Sequence, residues 1–412
     1  MASFLSPTPG ARARMADADR RIRPSKRLAA IGGYAFDEVN RRVDALKAQG
    51  IAPIDFGVGD PTVPTPSIAR ERVKTAVDER ATAGYPAYEG DRGFRDAIAA
   101  WSKRRFNVTL DPATEVCVTI GSKEAVFNVH EALVNPREVV LCPSPGYPPY
   151  KRGTAFAEGT PWFYPLVRAN GFLPDLTAIP AAVAAKARAI WVCYPNSPTG
   201  AVADEAFYRR LLEFADRHGI AVLSDEAYSE ISFTDQPPPS ALSVRKEGVL
   251  AFFSMSKRSA MTGWRVGWVA GDARLVALFR KMKTNVDSGT CTFLQDGAAA
   301  ALSDETHVEA FRLEYRLKRD VLCRALVKSG LADCTPAATL YVWQETPKGM
   351  TGVEFAQRLL DPAVAVVCTP GEWLSDPVAD KTNPGAGHVR FALVPSVADT
   401  KVAAERIAAI RW

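Results

Sequence analysis

Between residues 115 and 270 the chain alternates short apolar runs with stretches whose apolar residues recur at helical spacing. The runs cover 116–120, 139–142, 189–194, 220–223, 249–253 and 266–270, and each reads as a strand. Residues 204–218 show the intervening pattern, with Phe207, Leu211, Leu212 and Phe214 on one helical face. Unbroken apolar strands separated by helices predict a largely parallel sheet covered on both faces. Ligands of such sheets sit beyond the carboxyl ends of the strands. Polar clusters follow the runs directly: Gly121-Ser122-Lys123, then 143–147, 196–200, 225–228 and 254–257.

After about residue 290 the texture changes. A long helix over roughly 305–329 leads to a strand at 339–343, a helix near 353–360, strands at 365–368 and 389–393, and a closing helix after Ser396. This reads as a smaller α+β domain, and 24–50, helical over 34–48, is expected beside it. The predicted organisation is a basic N-terminal tail (1–22), an arm that forms part of the small domain (23–50), a large domain (51–290) and a small C-terminal domain (291–412). There is no internal repeat.

Composition narrows the class. The 412 residues are 47% apolar and 24% charged, as in proteins that bury a large core. No stretch approaches 18 uncharged apolar residues, and no apolar run precedes a cleavage site near the N-terminus, so neither a membrane span nor a secretory signal is expected. Residues 1–27 hold seven cations against Asp17 and Asp19, which accounts for the entire net charge of +5. The rest of the chain is neutral and gives nucleic acid little to bind. Seven scattered cysteines without a CxxC read as small buried hydrophobes in a reducing, cytoplasmic compartment. Four histidines far apart in sequence give no metal-ligand spacing, so no metal is expected.

The chemistry gathers around Lys257, just past an apolar strand. Ser254 and Lys257 spell the S-x-x-K of serine acyl enzymes, but Ser224-Asp225 is followed by Glu226 and no K-T-G occurs. That reading fails. Met261-Thr262-Gly263-Trp264-Arg265-Val266-Gly267-Trp268 follows instead, with Tyr194-Pro195-Asn196-Ser197-Pro198-Thr199-Gly200 and Asp225-Glu226-Ala227-Tyr228 upstream. With these motifs in this order, the chain from about Arg23 to Trp412 resembles the fold-type I pyridoxal-phosphate enzymes, specifically the class I and II aminotransferases.

The resemblance implies an α/β fold, its large domain built on a mostly parallel seven-stranded sheet and joined to a smaller α+β domain. It also implies pyridoxal 5′-phosphate as cofactor. That cofactor needs a lysine to hold its aldehyde and an acid to keep its ring nitrogen protonated. Lys257 matches the family's Schiff-base lysine, able once freed to shuttle a proton. Asp225 matches the carboxylate that pairs with the ring nitrogen. Tyr228 and Asn196 match the pair that hydrogen-bonds the phenolic oxygen, and Tyr147 the aromatic that stacks on the ring. For the phosphate, Gly121, Ser122 and Lys123 open a helix whose N–H groups suit an anion, and Ser254, Ser256 and Arg265 match the other contacts. Arg390 matches the arginine that binds the substrate carboxylate, and Gly59, in Gly57-Val58-Gly59-Asp60-Pro61, allows close backbone approach to substrate. Tyr85 matches a tyrosine that reaches the phosphate of the neighbouring subunit, which implies a homodimer with shared active sites.

Within the family, Tyr85-Pro86-Ala87-Tyr88-Glu89-Gly90, Ile120-Gly121-Ser122-Lys123-Glu124-Ala125 and Asn285-Val286-Asp287-Ser288-Gly289 are most like LL-diaminopimelate aminotransferases. Ser256-Lys257-Arg258-Ser259 and Asn383-Pro384-Gly385-Ala386-Gly387 are more like succinyldiaminopimelate aminotransferases. The implied activity is amino transfer between glutamate, or another donor, and a 2-keto acid in lysine biosynthesis. The alternatives are an aminotransferase of specialised metabolism or of aspartate, aromatic residues or alanine, and a lyase, decarboxylase or oxidase on the same cofactor. A ligand-binding regulatory module is disfavoured, because the short Arg-rich tail cannot hold a DNA-binding domain.

Overall fold

The computed structural model describes residues 22–29, 37–82 and 84–412. The chain separates into two compact units, 1–34 and 35–412. In the first, the described residues are exposed and hold one helical turn, Lys26–Ala29. The expected basic tail falls, apart from Ile22, outside the described residues.

The second unit begins with a helix, Asp37–Ala48, and strand β1 (Ile54–Asp55). The next seven strands form one sheet. They are β2 (Val116–Thr119), β3 (Val139–Ser144), β4 (Thr160–Pro165), β5 (Ala187–Cys193), β6 (Ala221–Asp225), β7 (Val249–Ser254) and β8 (Gly267–Gly271), in the order β2-β8-β7-β6-β5-β3-β4. Strands β3 to β7 run parallel, and β8 is antiparallel to both its neighbours. Six of the seven are the predicted apolar runs, shifted at most by two or three residues at their ends. The seventh, β4, carries Pro161 and Pro165 and lies at the sheet's edge, where a missing N–H costs no ladder bond. Those prolines hide it from the apolar pattern.

Alternate residues of each strand feed separate cores on the two faces. On β5, Ile190 and Val192 join one cluster, while Ala189 and Trp191 join the other. The helix Glu205–His218 shows how the sequence builds the covering layer. Asp204 accepts a hydrogen bond from the Phe207 N–H at 2.7 Å, Gly219 ends the helix at φ 65°, and Phe207, Leu211, Leu212 and Phe214 are buried on the sheet.

A second sheet of three antiparallel strands lies later in the chain, in the order β11 (Thr369–Pro370), β12 (His388–Ala392), β9 (Tyr341–Glu345). The strand expected at 365–368 is shorter, β10 (Val366–Val367), and pairs with β1; past Cys368 a separate strand, β11, pairs with β12. A third core, including Phe56, Val342, Phe391 and Leu393, packs this region against the helices Thr306–Lys328 and Val397–Ala408.

The parallel strands bring Ser144, Cys193, Asp225 and Ser254 to one edge of the large sheet, because each ends its strand. Behind that edge, Trp101 sits edge-on to Phe106, Phe253 and Trp268, with ring centroids 5.3, 5.6 and 5.4 Å away. Replacing Trp101 by alanine is expected to cost about 3–5 kcal/mol. The check is a clearly lowered thermal midpoint together with near-native far-UV circular dichroism at 20 °C or so.

Candidate active site

A cavity of about 700 Å³ opens at this carboxyl edge, and its walls include Tyr147, Asp225, Ser254, Lys257, Arg265 and Arg390. Gly59, Ser122, Lys123, Tyr228 and Ser256 line it as well. Residues scattered over more than three hundred positions thus meet in one space.

Lys257 lies in the helical turn Met255–Arg258, whose start is capped by Ser254 Oγ accepting the Ser256 N–H at 3.1 Å. Its Nζ donates to the Gly59 carbonyl. Burial lowers its affinity for a proton; Tyr341 and Asp60 oppose this, while the positive charges of Arg390 and Arg265 add to it.

Asp225 ends β6 and is 5% exposed. Its Oδ2 accepts from the Tyr150 hydroxyl at 2.7 Å, and Oδ1 accepts the Ala227 N–H at 3.3 Å. Burial raises its carboxyl to about 6, and the hydrogen bonds from Tyr150 and Ala227 hold it from going higher. Tyr150 is itself fixed: its ring stacks on Trp191 with centroids 4.5 Å apart, and the Trp191 indole N–H points at His130 Nε2 at 3.0 Å.

An anion cradle faces this pair. Gly121 takes φ 71° and opens the helix Ser122–Leu133, and a Cβ there would strike the Arg265 guanidinium. Gly267 is equally constrained, since a Cβ would come 2.7 Å from the Phe253 carbonyl oxygen and 2.9 Å from the Ser122 nitrogen. The turn is braced from behind, where Glu124 accepts the Ile120 N–H at 3.2 Å and lies 3.6 Å from the buried Lys283.

Arg390 approaches from the smaller sheet. Its Nη2 donates to the Gly57 carbonyl at 2.9 Å, and its buried Nε has no hydrogen-bond partner among the described residues. Its guanidinium carbon stands 4.4 Å over the Tyr341 ring. Tyr341 in turn lies 3.1 Å, hydroxyl to hydroxyl, from Tyr228.

Three of the sequence-derived residues are not among those that line the cavity: Gly121, which lies behind Ser122 in the turn, Asn196 and Tyr85. Asn196 is fully buried, its Nδ2 donating to the Cys193 carbonyl and its Oδ1 accepting from the Thr199 N–H and hydroxyl. Tyr85 is 93% exposed. Conversely, Tyr150, Tyr341, Asp60 and Cys193 line the cavity without having been singled out by sequence. Tyr150 follows Tyr147 by three residues on the helix Pro148–Phe156, a spacing that could have found it. Tyr341 had no local signal, because only strand register brings it to Arg390. Among the described residues, no cluster of three or more His, Cys, Asp or Glu could hold a metal ion, and no helix is long and apolar enough to cross a membrane.

The raised value of Asp225 fixes the sign of a pH effect. In the free protein the folded state holds this proton more tightly than the unfolded chain, so its contribution to stability is complete below about pH 4 and is lost as pH rises through about 6. Asp225→Asn removes that loss. Its stability relative to wild type should rise by about 2 kcal/mol between pH 4 and 6.5, read from denaturant unfolding of ligand-free protein at both pH values. A flat difference would mean the carboxyl is not perturbed.

The family model for aminotransferase class I and II matches residues 52–407. The chain is 43% identical over 386 residues to a protein of Aquifex aeolicus named LL-diaminopimelate aminotransferase, covering 93% of this chain and 98% of that one. Among solved structures, a probable N-succinyldiaminopimelate aminotransferase of Thermus thermophilus superposes with a TM-score of 0.84 at 29% identity, over 91% of this chain and 99% of that one. An aspartate aminotransferase mutant of the same organism gives 0.85 at 27% identity, over 94% and 99%. The chain therefore belongs to the class I and II aminotransferases.

Proposed function

We propose that this aminotransferase works with pyridoxal phosphate. In this reading it exchanges an amino group between glutamate and the keto acid that corresponds to LL-diaminopimelate, or a close relative of that compound, as a cytoplasmic step of lysine biosynthesis. The observation that carries the reading is the convergence of Lys257, Asp225 and Arg390 on one cavity.

The residues present fit the cofactor. A buried carboxyl raised to about 6 is ready to face a cationic ring nitrogen, which would draw it back to the charged form. The Gly121 turn with the Arg265 fork offers N–H donors and positive charge for a phosphate, and Ser254 and Ser256 add hydroxyls. Bound there, the cofactor supplies an electron sink that acidifies the substrate's α-carbon.

The chain's own residues do the rest. Arg390 holds the α-carboxylate through the guanidinium atoms not engaged by Gly57, and so orients the α-carbon. Lys257, its amine made easier to deprotonate by burial, takes the proton from that carbon and can return it to the cofactor side. Asp225, held by Tyr150, would keep the ring nitrogen protonated. Tyr228, which the family pattern pairs with Asn196, would donate to the phenolic oxygen, and Tyr147 would cover the ring. The substrate assignment is supported by the name of the Aquifex relative and by the segments shared with that group. Fold alone would not decide it.

Tyr85, exposed on the chain, supports a homodimer in which it completes the partner's phosphate site. Sedimentation should then give twice the chain mass, and Tyr85→Phe should keep the dimer while weakening cofactor retention by about tenfold, as for one lost charge-assisted hydrogen bond. A stable monomer with bound cofactor would exclude the shared site.

The decisive experiment offers amino acids one at a time to cofactor-loaded protein while its visible spectrum is followed. Glutamate and LL-diaminopimelate should each convert the spectrum, with diaminopimelate favoured over lysine, ornithine and aromatic amino acids by about tenfold or more. Release of ammonia or carbon dioxide without keto-acid-dependent amino transfer would replace this reading by a lyase or decarboxylase.

A further inference from the structure

Tyr341 stands where three parts of the site meet. On β9 it pairs with Ala392, two residues from the Trp343–Arg390 pair, so its ring and the Arg390 side chain share one face of the smaller sheet. The guanidinium carbon lies 4.4 Å over that ring. The hydroxyl reaches the other way, 3.1 Å from the Tyr228 hydroxyl, with the two rings edge to face. It also presses on Gly59, where any Cβ would collide with it, and the Gly59 carbonyl is the acceptor for Lys257. Ring and hydroxyl therefore serve different neighbours.

The ring gives Arg390 something its hydrogen bonds do not. Among the described residues, Nη2 is the guanidinium nitrogen with a hydrogen bond, to Gly57, and the buried Nε has no such partner. A cation lying on an aromatic face is held in place while its N–H edges remain free for a carboxylate. The hydroxyl acts on Tyr228. When Tyr341 donates to the Tyr228 oxygen, that phenol becomes a stronger donor of its own hydrogen, because linked hydrogen bonds polarise one another.

We propose that Tyr341 is a positioning residue with two separable parts: its ring seats Arg390 for the substrate carboxylate, and its hydroxyl turns Tyr228 into a better donor toward the cofactor's phenolic oxygen. This rests on the pyridoxal-phosphate reading above. A stronger donor withdraws charge from the phenolic oxygen and eases loss of the proton held beside it. The Tyr341 hydroxyl therefore lowers the pH at which the bound cofactor's visible band titrates. The titratable and charged groups facing this pair are Asp225, Cys193, Lys257, Asp60, Arg390, Tyr315 and Tyr147. All seven remain in the variants below, so a difference from wild type reports Tyr341.

The test compares wild type, Tyr341→Phe and Tyr341→Met, each loaded with pyridoxal phosphate. Phenylalanine keeps the ring and loses the hydroxyl; methionine roughly keeps the volume and loses both. Spectrophotometric titration should place the Phe midpoint about half a pH unit or more above wild type, with the glutamate KM within about twofold. The Met variant should show the same rise and, in addition, a glutamate KM about fivefold or more higher. A Phe midpoint equal to wild type overturns the role of the hydroxyl, and a Met variant whose KM matches that of Phe overturns the role of the ring. Wild-type protein that takes up no pyridoxal phosphate and shows no visible band overturns the cofactor reading itself, a different result from a wild-type band that titrates normally.

Discussion

A carboxylate cannot be buried cheaply, and this site is organised around one that is. Asp225 ends β6 almost out of contact with water, and burial alone favours its neutral form. The Tyr150 hydroxyl and the Ala227 N–H offset part of that cost. Tyr150 can do so because its ring is clamped on Trp191, and Trp191 is held by His130, a histidine that burial keeps neutral by lowering it to about 4. A chain of large buried side chains thus fixes one oxygen atom at the edge of the sheet. The remaining imbalance favours a cation in the cavity, and in the function proposed above the ring nitrogen of pyridoxal phosphate would answer that demand.

The same edge explains why the polar clusters stand where they do in the sequence. Parallel strands deliver their last residues to one side, so a short apolar run followed at once by a polar group is a positional statement as well as a secondary-structure one. Lys257, Asp225, Ser254 and the Gly121 turn were legible for this reason, as were the six apolar strands. Strand β4 was not, because its prolines break the pattern and only its place at the edge tolerates them. The break at Cys368, which sends β10 and β11 to different sheets, was hidden as well, since period and composition say nothing of which partner a two-residue strand chooses.

What stayed invisible in the site is what depends on register between distant segments. Tyr341 and Arg390 are 49 positions apart, and β9 and β12 bring them to one face through pairing that no local motif announces. Gly59 reads in sequence as a glycine needed near substrate. In the structure its lack of a side chain makes room for the Tyr341 hydroxyl, and its carbonyl meets Lys257. Asn196 shows the opposite case, a residue whose motif points to the cofactor while its side chain is largely spent on its own loop.

In the function proposed above, these contacts tie the base to the substrate-binding fork. Lys257 is carried by the large sheet and Arg390 by the smaller one, and after burial itself the positive charge of Arg390 is among the influences that lower the lysine's proton affinity. A substrate carboxylate paired with Arg390 would offset that charge and return some basicity to Lys257 while an α-carbon is held for deprotonation. The carboxylate would then both orient substrate and tune the group that acts on it. In that reading, selectivity for amino acids would draw on the electrostatics of the site as well as on its shape.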